Sequence, residues 1–517
     1  MHLQFDKSYS LIVIRNRLSL TIFSMITVKS QIFKLAHFKI LFCIAFFLTA
    51  GSTSCKKEQL NTASGISLST DTLTFDTLFT TLGSTTKFFT IRNTQKQAIK
   101  ISNIRLAGGA ASSYRINVDG DAGTSFNDIE IPAKDSIYVF AEVTVDPNAA
   151  NLPFIIEDSI QFLTNGILQQ VQLNAYGQNA HFFNGDSIET NAVWNDDLPY
   201  VILNYLQIKQ SATLTINAGC DVYFGGNAAL LVEGGLNIQG TDTSNMVTFR
   251  GVRLDKDIAD RPYDDFPGQY AGLFFLRNST GNIEYLKMRN SAYGINVGNI
   301  RTSDIPAENL AALQAMNSSN APVVTIKNSK IYNNAFYGLF GFLGKINAEN
   351  TLVYNCGKNL VGLYDGGDYN FLNCTFYTRG STYISHSKEP AFYMNNYFKI
   401  DETNSIYPDI ASAKFDNCIV YGTLEEEIVK DNDINGPVAI NLIFDHCAVK
   451  TKAALNAPVF ITCINNDPQF SDVFKNNYKL KSTSPCRNFS TTVFPAKDID
   501  GFTRSGVVTD CGAYVFQ

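Results

Sequence analysis

The sequence lacks most of the features by which enzymes and nucleic-acid-binding proteins are identified. Its 517 residues include five His and one Trp, and no Ser-His-Asp arrangement, nucleotide-binding loop or zinc-hydrolase pattern is visible. The 41 Lys and Arg and 47 Asp and Glu residues give a net charge of −6 with no basic block. Because nucleic-acid binding needs a concentrated Lys/Arg surface, we predict no nucleic-acid partner.

A repeated pattern between Ile283 and Thr451 is the most informative feature that is present. It reads apolar, any, Asn, any, any, apolar, any, small or Asn, and its closest copies lie 22 and 23 residues apart. A period of this size indicates stacked units that share one core. Alternating β-branched and aromatic residues indicate that the units are strands. The copies begin at Ile283 (degenerate), Ile326, Ala348, Phe371, Phe415 and Phe444.

A parallel β-helix is therefore the predicted architecture of residues 179–465. Short strands alternate with corners such as Asn217-Ala-Gly219, where Gly permits left-handed backbone. From about Leu214 to Val449 the chain resembles right-handed parallel β-helix proteins of the pectate-lyase-like fold. The resemblance implies a fold and no particular activity, and the predicted class is all-β.

The repeat also predicts which residues are scaffold. Successive coils lie about 4.8 Å apart, so equivalent side chains stack and a corner Asn can bond the next Asn. The predicted ladder consists of Asn328, Asn350, Asn373, Asn417 and His446. The predicted inward apolar column consists of Ile326, Ala348, Phe371, Phe415 and Phe444.

Residues 1–54 are predicted to be a signal peptide, with Met25 as an alternative start. The apolar run of residues 40–48 is too short to span a bilayer but suits a signal-peptide core. Small residues then lead to Cys55, which resembles the acylated Cys of a Bacteroidota-type lipoprotein; an ordinary secretory signal is the alternative. The resemblance implies a lipid anchor in the outer membrane, facing the surface or the periplasm, with residues 55–64 as a tether.

Residues 65–178 are predicted to form an Ig-like β-sandwich. They carry about seven short alternating strands separated by turns, and they contain no Cys or Trp, so the segment is not antibody-like. The stretch from Phe75 to Asn93 resembles the Ig-like modules that open many Bacteroidota surface lipoproteins. Such modules act as spacers, and a binding role is the alternative.

Residues 466–517 resemble the terminal segment of bacterial β-helix surface proteins, and we predict that they cap the stack. Within this segment, Cys486 and Cys511 bracket one compact stretch and are the predicted disulfide. An exported protein would meet a compartment that permits such a bond. Three further cysteines, in phase with the repeat, are interpreted as stacked small side chains: Cys374, Cys418 and Cys447.

Function is expected where the repeat is interrupted, because inserted loops usually carry it. The densest acidic insert runs from Leu254 to Asp265. Its carboxylates would suit Ca²⁺, although their spacing matches no EF-hand and a solvated loop is the alternative. The candidate metal ligands are Asp255, Asp257 and Asp260, and the adjacent candidates for stacking on a sugar ring are Tyr263, Phe266 and Tyr270.

A second insert, Tyr364-Asp-Gly-Gly-Asp-Tyr369, places two carboxylates and two aromatic rings around a turn. Paired carboxylates can act as acid and base on a glycosidic bond, but Asp is also a common turn residue. The candidate catalytic residues of the two inserts are Asp264, Asp265, Asp365 and Asp368. The candidate sugar-binding residues of the second insert are Tyr364 and Tyr369.

Two hypotheses for function follow. The first is a monomeric cell-envelope lipoprotein that uses its rigid β-helix for glycan binding or adhesion without catalysis. The second is a polysaccharide lyase or glycoside hydrolase with a diverged acidic site. Of the signatures of β-helix hydrolases, only the Asp264-Asp265 pair is present, so the sequence favours the first hypothesis and names no ligand.

Overall fold

The structure is a computed structural model, and its chain is almost entirely β. No helix among the described residues has the length and apolarity needed to cross a membrane. The predicted signal peptide and the predicted lipidation site Cys55 lie outside those residues. The described ranges are 60–80, 82–146, 154–257, 259–298, 318–399 and 405–517.

The N-terminal module is a sandwich of two five-stranded sheets, in the orders β1-β3-β8-β5-β6 and β2-β10-β9-β4-β7. Strand β8 alternates exposed and buried residues along its length, as a strand with one face on a core must. The predicted β-sandwich is thus confirmed. A 3₁₀ turn lies at Gly109–Ala111, and the strands are β1 (Ser67–Leu68), β2 (Thr72–Phe79), β3 (Lys87–Arg92), β4 (Ile99–Leu106), β5 (Tyr114–Val118), β6 (Asp121–Gly123), β7 (Ser125–Ile131), β8 (Ser136–Val143), β9 (Phe154–Thr164) and β10 (Ile167–Gln178).

The second domain is a stack of coils that begins at His181. Its first five coils contain β11 (His181–Phe183), β12 (Asp186–Ile188), β13 (Ala192–Trp194), β14 (Tyr200–Ile202), β15 (Tyr205–Ile208), β16 (Thr213–Asn217), β17 (Asp221–Phe224), β18 (Ala229–Val232), β19 (Gly235–Gln239), β20 (Val247–Gly251), β21 (Gly272–Phe275), β22 (Thr280–Glu284), β23 (Leu286–Arg289), β24 (Tyr293–Gly298) and β25 (Val323–Lys327). Within them lie 3₁₀ turns at Tyr263–Asp265 and Ser318–Asn320.

The later coils continue without a change of pattern. They contain β26 (Lys330–Asn334), β27 (Tyr337–Phe342), β28 (Lys345–Glu349), β29 (Leu352–Cys356), β30 (Val361–Tyr364), β31 (Gly367–Leu372), β32 (Thr375–Thr378), β33 (Phe392–Asn395), β36 (Ala411–Asp416), β37 (Ile419–Gly422), β38 (Ile428–Asp431), β39 (Asn441–Asp445), β40 (Ala448–Val449) and β41 (Phe460–Ile461). A small antiparallel pair, β34 (Phe398–Lys399) and β35 (Ser405–Ile406), lies in an insert.

Each coil except the last contributes one strand to each of three parallel sheets, and the last lacks a strand in sheet B. This confirms the predicted parallel β-helix. Sheet A has the order β11-β14-β17-β20-β23-β26-β29-β32-β37-β40, and sheet B has the order β12-β15-β18-β21-β24-β27-β30-β33-β38. Sheet C has the order β13-β16-β19-β22-β25-β28-β31-β36-β39-β41. In every pair the strands are in register, so equivalent residues of successive coils lie above one another.

The corner between sheet C and the next strand of sheet A has left-handed backbone, with φ between 46° and 53° at the five predicted ladder residues. Asn tolerates this region better than other non-glycine residues. The ladder amides bond in part to each other: Asn350 Nδ2 donates to Asn328 Oδ1 at 3.0 Å, and Asn417 Nδ2 donates to Asn373 Oδ1 at 3.2 Å.

The predicted inward column is also confirmed. Ile326, Ala348, Phe371, Phe415 and Phe444 are aligned by strand register and buried. The ring of Phe415 stacks on those of Phe371 and Phe444, with centroids 4.5 and 4.6 Å apart. Stacking identical rings in one column fills the core at the coil spacing.

The C-terminal segment, residues 466–517, caps the β-helix along its side rather than over its end. It contains β42 (Phe470–Asp472), a 3₁₀ turn at Val473–Lys475, and β43 (Asn477–Leu480). Its buried residues form one apolar cluster with outward residues of sheet A, including Tyr354, Tyr377 and Tyr421. The open end is instead approached by the loop that carries Leu455 and Val459, which packs against the main core.

Candidate functional site

A groove of about 620 Å³ lies on the outer face of sheet A. Strands β23, β26 and β29 form its floor, and the 3₁₀ turn Tyr263–Asp265 forms one wall. The other walls are the loop of residues 381–383 and residues 474–476 of the C-terminal segment. The lining residues are Asp264, Asp265, Lys287, Arg289, Lys330, Tyr332, Asn333, Tyr354, Asn355, Ser381, Thr382, Tyr383, Phe474, Lys475 and Asn476.

The floor follows from strand alternation. In β23, Leu286 and Met288 are buried, so Lys287 and Arg289 point away from the core. Register places Lys287 beside Lys330 and Arg289 beside Tyr332 on the next strand. The ring of Tyr332 stacks on that of Tyr354 at 4.6 Å with an interplanar angle of 6°. Cations and aromatic rings therefore form adjacent rows.

The acidic insert is fastened to this floor by Asp264. Its carboxylate forms ion pairs with two arginines: Oδ1 lies 2.6 Å from Arg250 Nη2, and Oδ2 lies 2.7 Å from Arg289 Nη1. Two corner amides hold the backbone of the same turn: Asn290 Nδ2 donates to Asp264 O at 2.7 Å, and Asn333 Nδ2 donates to Asp265 O at 3.0 Å. Both Asp264 oxygens are thus occupied by scaffold contacts.

Positive charge exceeds negative charge in the groove. The lining contains four cationic side chains (Lys287, Arg289, Lys330 and Lys475) and two carboxylates, a net charge of +2 (4 − 2). Lys330 Nζ lies 3.8 Å from Asp500 Oδ1. Lys287 forms no ion pair with any residue in the described part of the chain.

The environment of Lys287 disfavours its charged form. Burial lowers the pKa of its ammonium group, the nearby charges of Arg289 and Lys330 lower it further, and the Asp264 carboxylate opposes them only in part. Burial also lowers the pKa of Lys330, although Asp500 opposes that effect. Removal from water and like-charge repulsion both penalise an ammonium group. An anion placed between these two lysines would relieve the repulsion.

The loop of residues 381–383 is positioned by a buried hydrogen bond between His386 and Glu427. His386 Nε2 lies 2.9 Å from Glu427 Oε1, and the side chains of both residues are almost fully buried. Glu427 also accepts hydrogen bonds from the backbone N–H groups of Leu424 at 2.8 Å and Ala391 at 2.9 Å. At the groove, Tyr383 packs against Phe266 with ring centroids 4.3 Å apart.

The structure brings only part of the first predicted site together. Asp264, Asp265, Tyr263 and Phe266 lie at or beside the groove. Tyr270 does not, because its ring is buried in the core, where it stacks on Phe224 at 4.4 Å. The prediction that Tyr270 contacts ligand is wrong: the chain re-enters the coil at this residue, and its side chain points inward.

The three predicted metal ligands do not converge. Asp255 accepts two hydrogen bonds from Arg253, at 2.8 and 2.6 Å, and a third from Thr85 of the N-terminal module. Asp257 pairs with Arg261 and Asp260 with Lys256. No cluster of three His, Cys, Asp or Glu residues suited to a metal ion occurs in the described part of the chain. The loop neutralises its own carboxylates, which leaves them no common point at which Ca²⁺ would bind.

The second predicted site lies outside the groove and is not assembled as expected. Tyr369 is fully buried, and its hydroxyl donates to Gly366 O at 2.9 Å, so it cannot contact a sugar. Asp365 is buried, and its Oδ1 has no hydrogen-bond partner among the described residues. Burial raises the pKa of Asp365 to about 7. Asp368 lies on β31 of sheet C, while Tyr364 packs on Phe340 of sheet B.

The residues that dominate the groove were missed by the sequence analysis. Lys287 and Arg289 belong to the degenerate copy of the repeat, in which both outward positions of the strand carry a cation. The corresponding outward positions of later copies carry Lys330 with Tyr332 and Leu352 with Tyr354. Charge at the outward positions of the repeat is the signal that could have located the groove.

The two predicted disulfide partners are close together as free, buried thiols. The backbone N–H of Cys511 donates to the carbonyl of Cys486 at 2.9 Å. Cys374, Cys418 and Cys447 are also buried free thiols. They stack in one column, in agreement with their interpretation as small core side chains.

Comparisons with known proteins leave the function open. The sequence matches no known family profile and no curated protein. Among solved structures it is similar to a family 123 glycoside hydrolase from Clostridium perfringens, at 9% identity and a TM-score of 0.17, covering 23% of this chain and 30% of that one. It is also similar to a PapD-like domain of human CEP192, at 9% identity and a TM-score of 0.16, covering 25% of this chain and 94% of that domain. Likenesses this weak carry no argument about activity.

Proposed function

We propose that the protein binds an anionic polysaccharide in the groove on sheet A. The observation that carries this proposal is Lys287, a half-buried cation that forms no ion pair in the described part of the chain and lies beside Lys330 in strand register and two residues from Arg289. A carboxylate or sulfate group of a sugar would form charge-assisted hydrogen bonds with these donors. Tyr332, Tyr354 and Tyr383 supply apolar surface beside them for the sugar rings.

The proposal is tested by calorimetric titration with polygalacturonate as the acidic probe and dextran as the neutral one. We expect binding of polygalacturonate only, weakening as ionic strength rises because the contacts are charged. Lys287→Ala should weaken binding about tenfold, since a hydrogen bond to a charged group contributes on the order of 1.5 kcal/mol. Equal affinity for dextran, or unchanged affinity in Lys287→Ala, would refute the proposal.

A matched control is available on another face of the same β-helix. Lys345 is an outward, half-exposed lysine on β28 of sheet C, away from the groove. Lys345→Ala removes the same charge from the whole molecule. If it weakened binding as much as Lys287→Ala, the effect would come from net charge and not from the groove.

A polysaccharide lyase is the second candidate, and the lowered pKa of Lys287 favours it. A lysine that is less often protonated can remove a proton from a carbon beside a uronic acid carboxylate. Hydrolysis has less support, because both oxygens of Asp264 bond arginines and Asp365 and Asp368 lie outside the groove. Incubation with polygalacturonate, followed by ultraviolet absorbance of unsaturated products, separates binding from elimination. Cleavage by the parent protein that is lost in Lys287→Ala would support the lyase.

We further propose that the protein is held in the outer membrane by a lipid on Cys55, with the N-terminal sandwich as a spacer. The sequence around Cys55 supports the anchor, and stable anchoring is what several acyl chains provide. Metabolic labelling with a radioactive fatty acid should mark the protein, and Cys55→Ala should abolish the label. Labelling that survives in Cys55→Ala would exclude this anchor.

A further inference from the structure

The C-terminal segment contains a loop whose two ends meet at a narrow neck. Cys511 donates its backbone N–H to Cys486 O at 2.9 Å, and Asn488 N–H donates to Asp510 Oδ1 at 2.7 Å. Thr509 N–H donates to Ser490 Oγ at 2.8 Å. The chain therefore runs antiparallel to itself at this neck, with the two cysteines as its inner pair.

Both thiols are well placed for one reaction. They are fully buried in the same apolar cluster. Burial raises the pKa of the Cys511 thiol, and a hydrogen bond with the Cys486 thiol raises it further. One backbone hydrogen bond, from Cys511 N–H to Cys486 O, holds the two residues side by side, and their thiols are near enough to hydrogen-bond each other, which is the proximity that a disulfide needs.

The loop of residues 487–510 connects this neck to the scaffold and to the groove. Its Val493 and Lys497 carbonyls accept hydrogen bonds from the ladder amides of Asn417 at 2.9 Å and Asn350 at 2.8 Å. Its Asp500 pairs with Lys330 of the groove floor at 3.8 Å. The neck and the carboxylate beside Lys330 thus belong to one loop.

We infer that Cys486 and Cys511 form a redox-sensitive clamp that locks this loop against sheet A. On oxidation each thiol loses its proton, the two sulfur atoms form one S–S bond, and two electrons pass to the disulfide of a thiol oxidoreductase, which becomes a dithiol. Reduction reverses the step. The inference does not depend on the proposed function, because it concerns how the loop is held and not what the groove binds.

The test is disulfide mapping of the full chain after incubation with oxidised glutathione, with mass spectrometry of unreduced peptides. We expect a Cys486–Cys511 cross-linked peptide. The adjacent core thiols Cys374 and Cys418 are the matched control: the Cys418 thiol lies 3.4 Å from Cys374 N, yet it donates to backbone carbonyls and should stay free. Full alkylation of Cys486 and Cys511, or a cross-link only elsewhere, would overturn the inference.

Hydrogen exchange provides the second measurement. Reduction of the oxidised protein should speed amide exchange in residues 487–510 and leave strands β26 to β32 unchanged. It should also lower the midpoint of thermal unfolding by on the order of 5 °C, since the cross-link constrains the unfolded chain. Cys486→Ala should show neither response to reductant, whatever its own stability. Equal exchange of the loop before and after reduction would show that the pair does not act as a clamp.

Discussion

Sheets A and C arise from the same coils in the same register, but their outer faces are organised differently. On sheet C, neutral amides form rows that satisfy one another: Asn282 Nδ2 donates to Asn237 Oδ1 at 3.1 Å, and Asn370 Nδ2 donates to Asn347 Oδ1 at 3.2 Å. On sheet A, cations stand in the equivalent rows, and an insert and the C-terminal segment cover part of the face.

The difference shows that one stacking register supports two kinds of outer face. An Asn side chain can both donate and accept a hydrogen bond, so the amides of one row can satisfy each other. A Lys or Arg can only donate, so a row of cations must recruit carboxylates from elsewhere. Asp264 pairs with Arg289 and Asp500 pairs with Lys330. Lys287 forms no such ion pair with a described residue. This remaining charge is the reason why we propose sheet A as the binding face.

The largest expected loss of stability comes from a substitution in the core, which the two faces share. Phe415→Ala removes a ring stacked between Phe371 and Phe444 and should lower the free energy of unfolding by about 3–5 kcal/mol. Chemical denaturation measures it. The control is Lys414→Ala, the adjacent outward residue on sheet C, which should cost less than about 0.5 kcal/mol. Similar losses in the two variants would contradict the inward column.

The next effect concerns the loop that sheet A uses as a wall. Glu427→Gln weakens a buried acceptor that serves His386 and two backbone N–H groups, and should cost about 2–3 kcal/mol. We expect proteolysis to cut the loop of residues 379–390 first in this variant. Glu389→Gln alters a neighbouring exposed carboxylate and is the control. If limited proteolysis cut the two variants alike, the His386–Glu427 hydrogen bond would not position the groove wall.

A third prediction concerns Asp365, at the corner that leads to sheet C, and tests whether burial of its carboxyl group lowers the stability of the folded chain. The pKa of Asp365 is about 7 in the folded chain and about 3.9 when unfolded. Its protonated form is therefore favoured by folding, and stability falls as pH rises from about 4 to about 7. Asp365→Asn should be more stable than the parent by about 1–2 kcal/mol at about pH 8, below the limit of ~4 kcal/mol set by the full shift.

Thermal unfolding of both proteins across this pH range measures the effect. At about pH 3, just below that range, the difference between Asp365→Asn and the parent should almost vanish, because the carboxyl group is then mostly neutral in both states. Asp368→Asn, at a half-exposed position on the same strand-turn unit, is the control. A stability difference that did not change with pH would rule out a buried neutral carboxyl.

The smallest effect compares the two faces directly. Asn333 donates both to Asn290 Oδ1 at 2.8 Å and to Asp265 O in the groove wall, so Asn333→Ala should cost about 1 kcal/mol. Asn282→Ala removes one exposed amide bond on sheet C and should cost less than about 0.5 kcal/mol. Equilibrium unfolding of the pair decides the point, and equal costs would mean that the covering of sheet A adds nothing.

The scaffold was predictable because its rules are local. Each copy of the repeat specifies its own left-handed corner at residues such as Asn350, and the inward position two residues earlier specifies the column. Equivalent copies then must stack. The class and the ladder therefore followed from a pattern of eight residues read along the chain.

The groove was less predictable because its contacts join distant parts of the chain. Asp264 was selected as a catalytic candidate, but its partners Arg250 and Arg289 come from two different coils. The aromatic character of Tyr270 and Tyr369 was read as ligand contact, whereas both rings fill the core. Sequence alone does not show where an insert rejoins the coil, and that point decides which side chains turn inward.

The lateral path of the C-terminal segment has a consequence for how the β-helix can vary in length. Residues of that segment bond to Asn350, Asn373 and Asn417, the corners of three consecutive coils. Loss or gain of one coil within this span would move some of these corners by one coil height. The C-terminal segment could then no longer form all three hydrogen bonds. Coils before β26 carry no such constraint from these three corners. These bonds from one segment thus set the number of coils between its three anchor points.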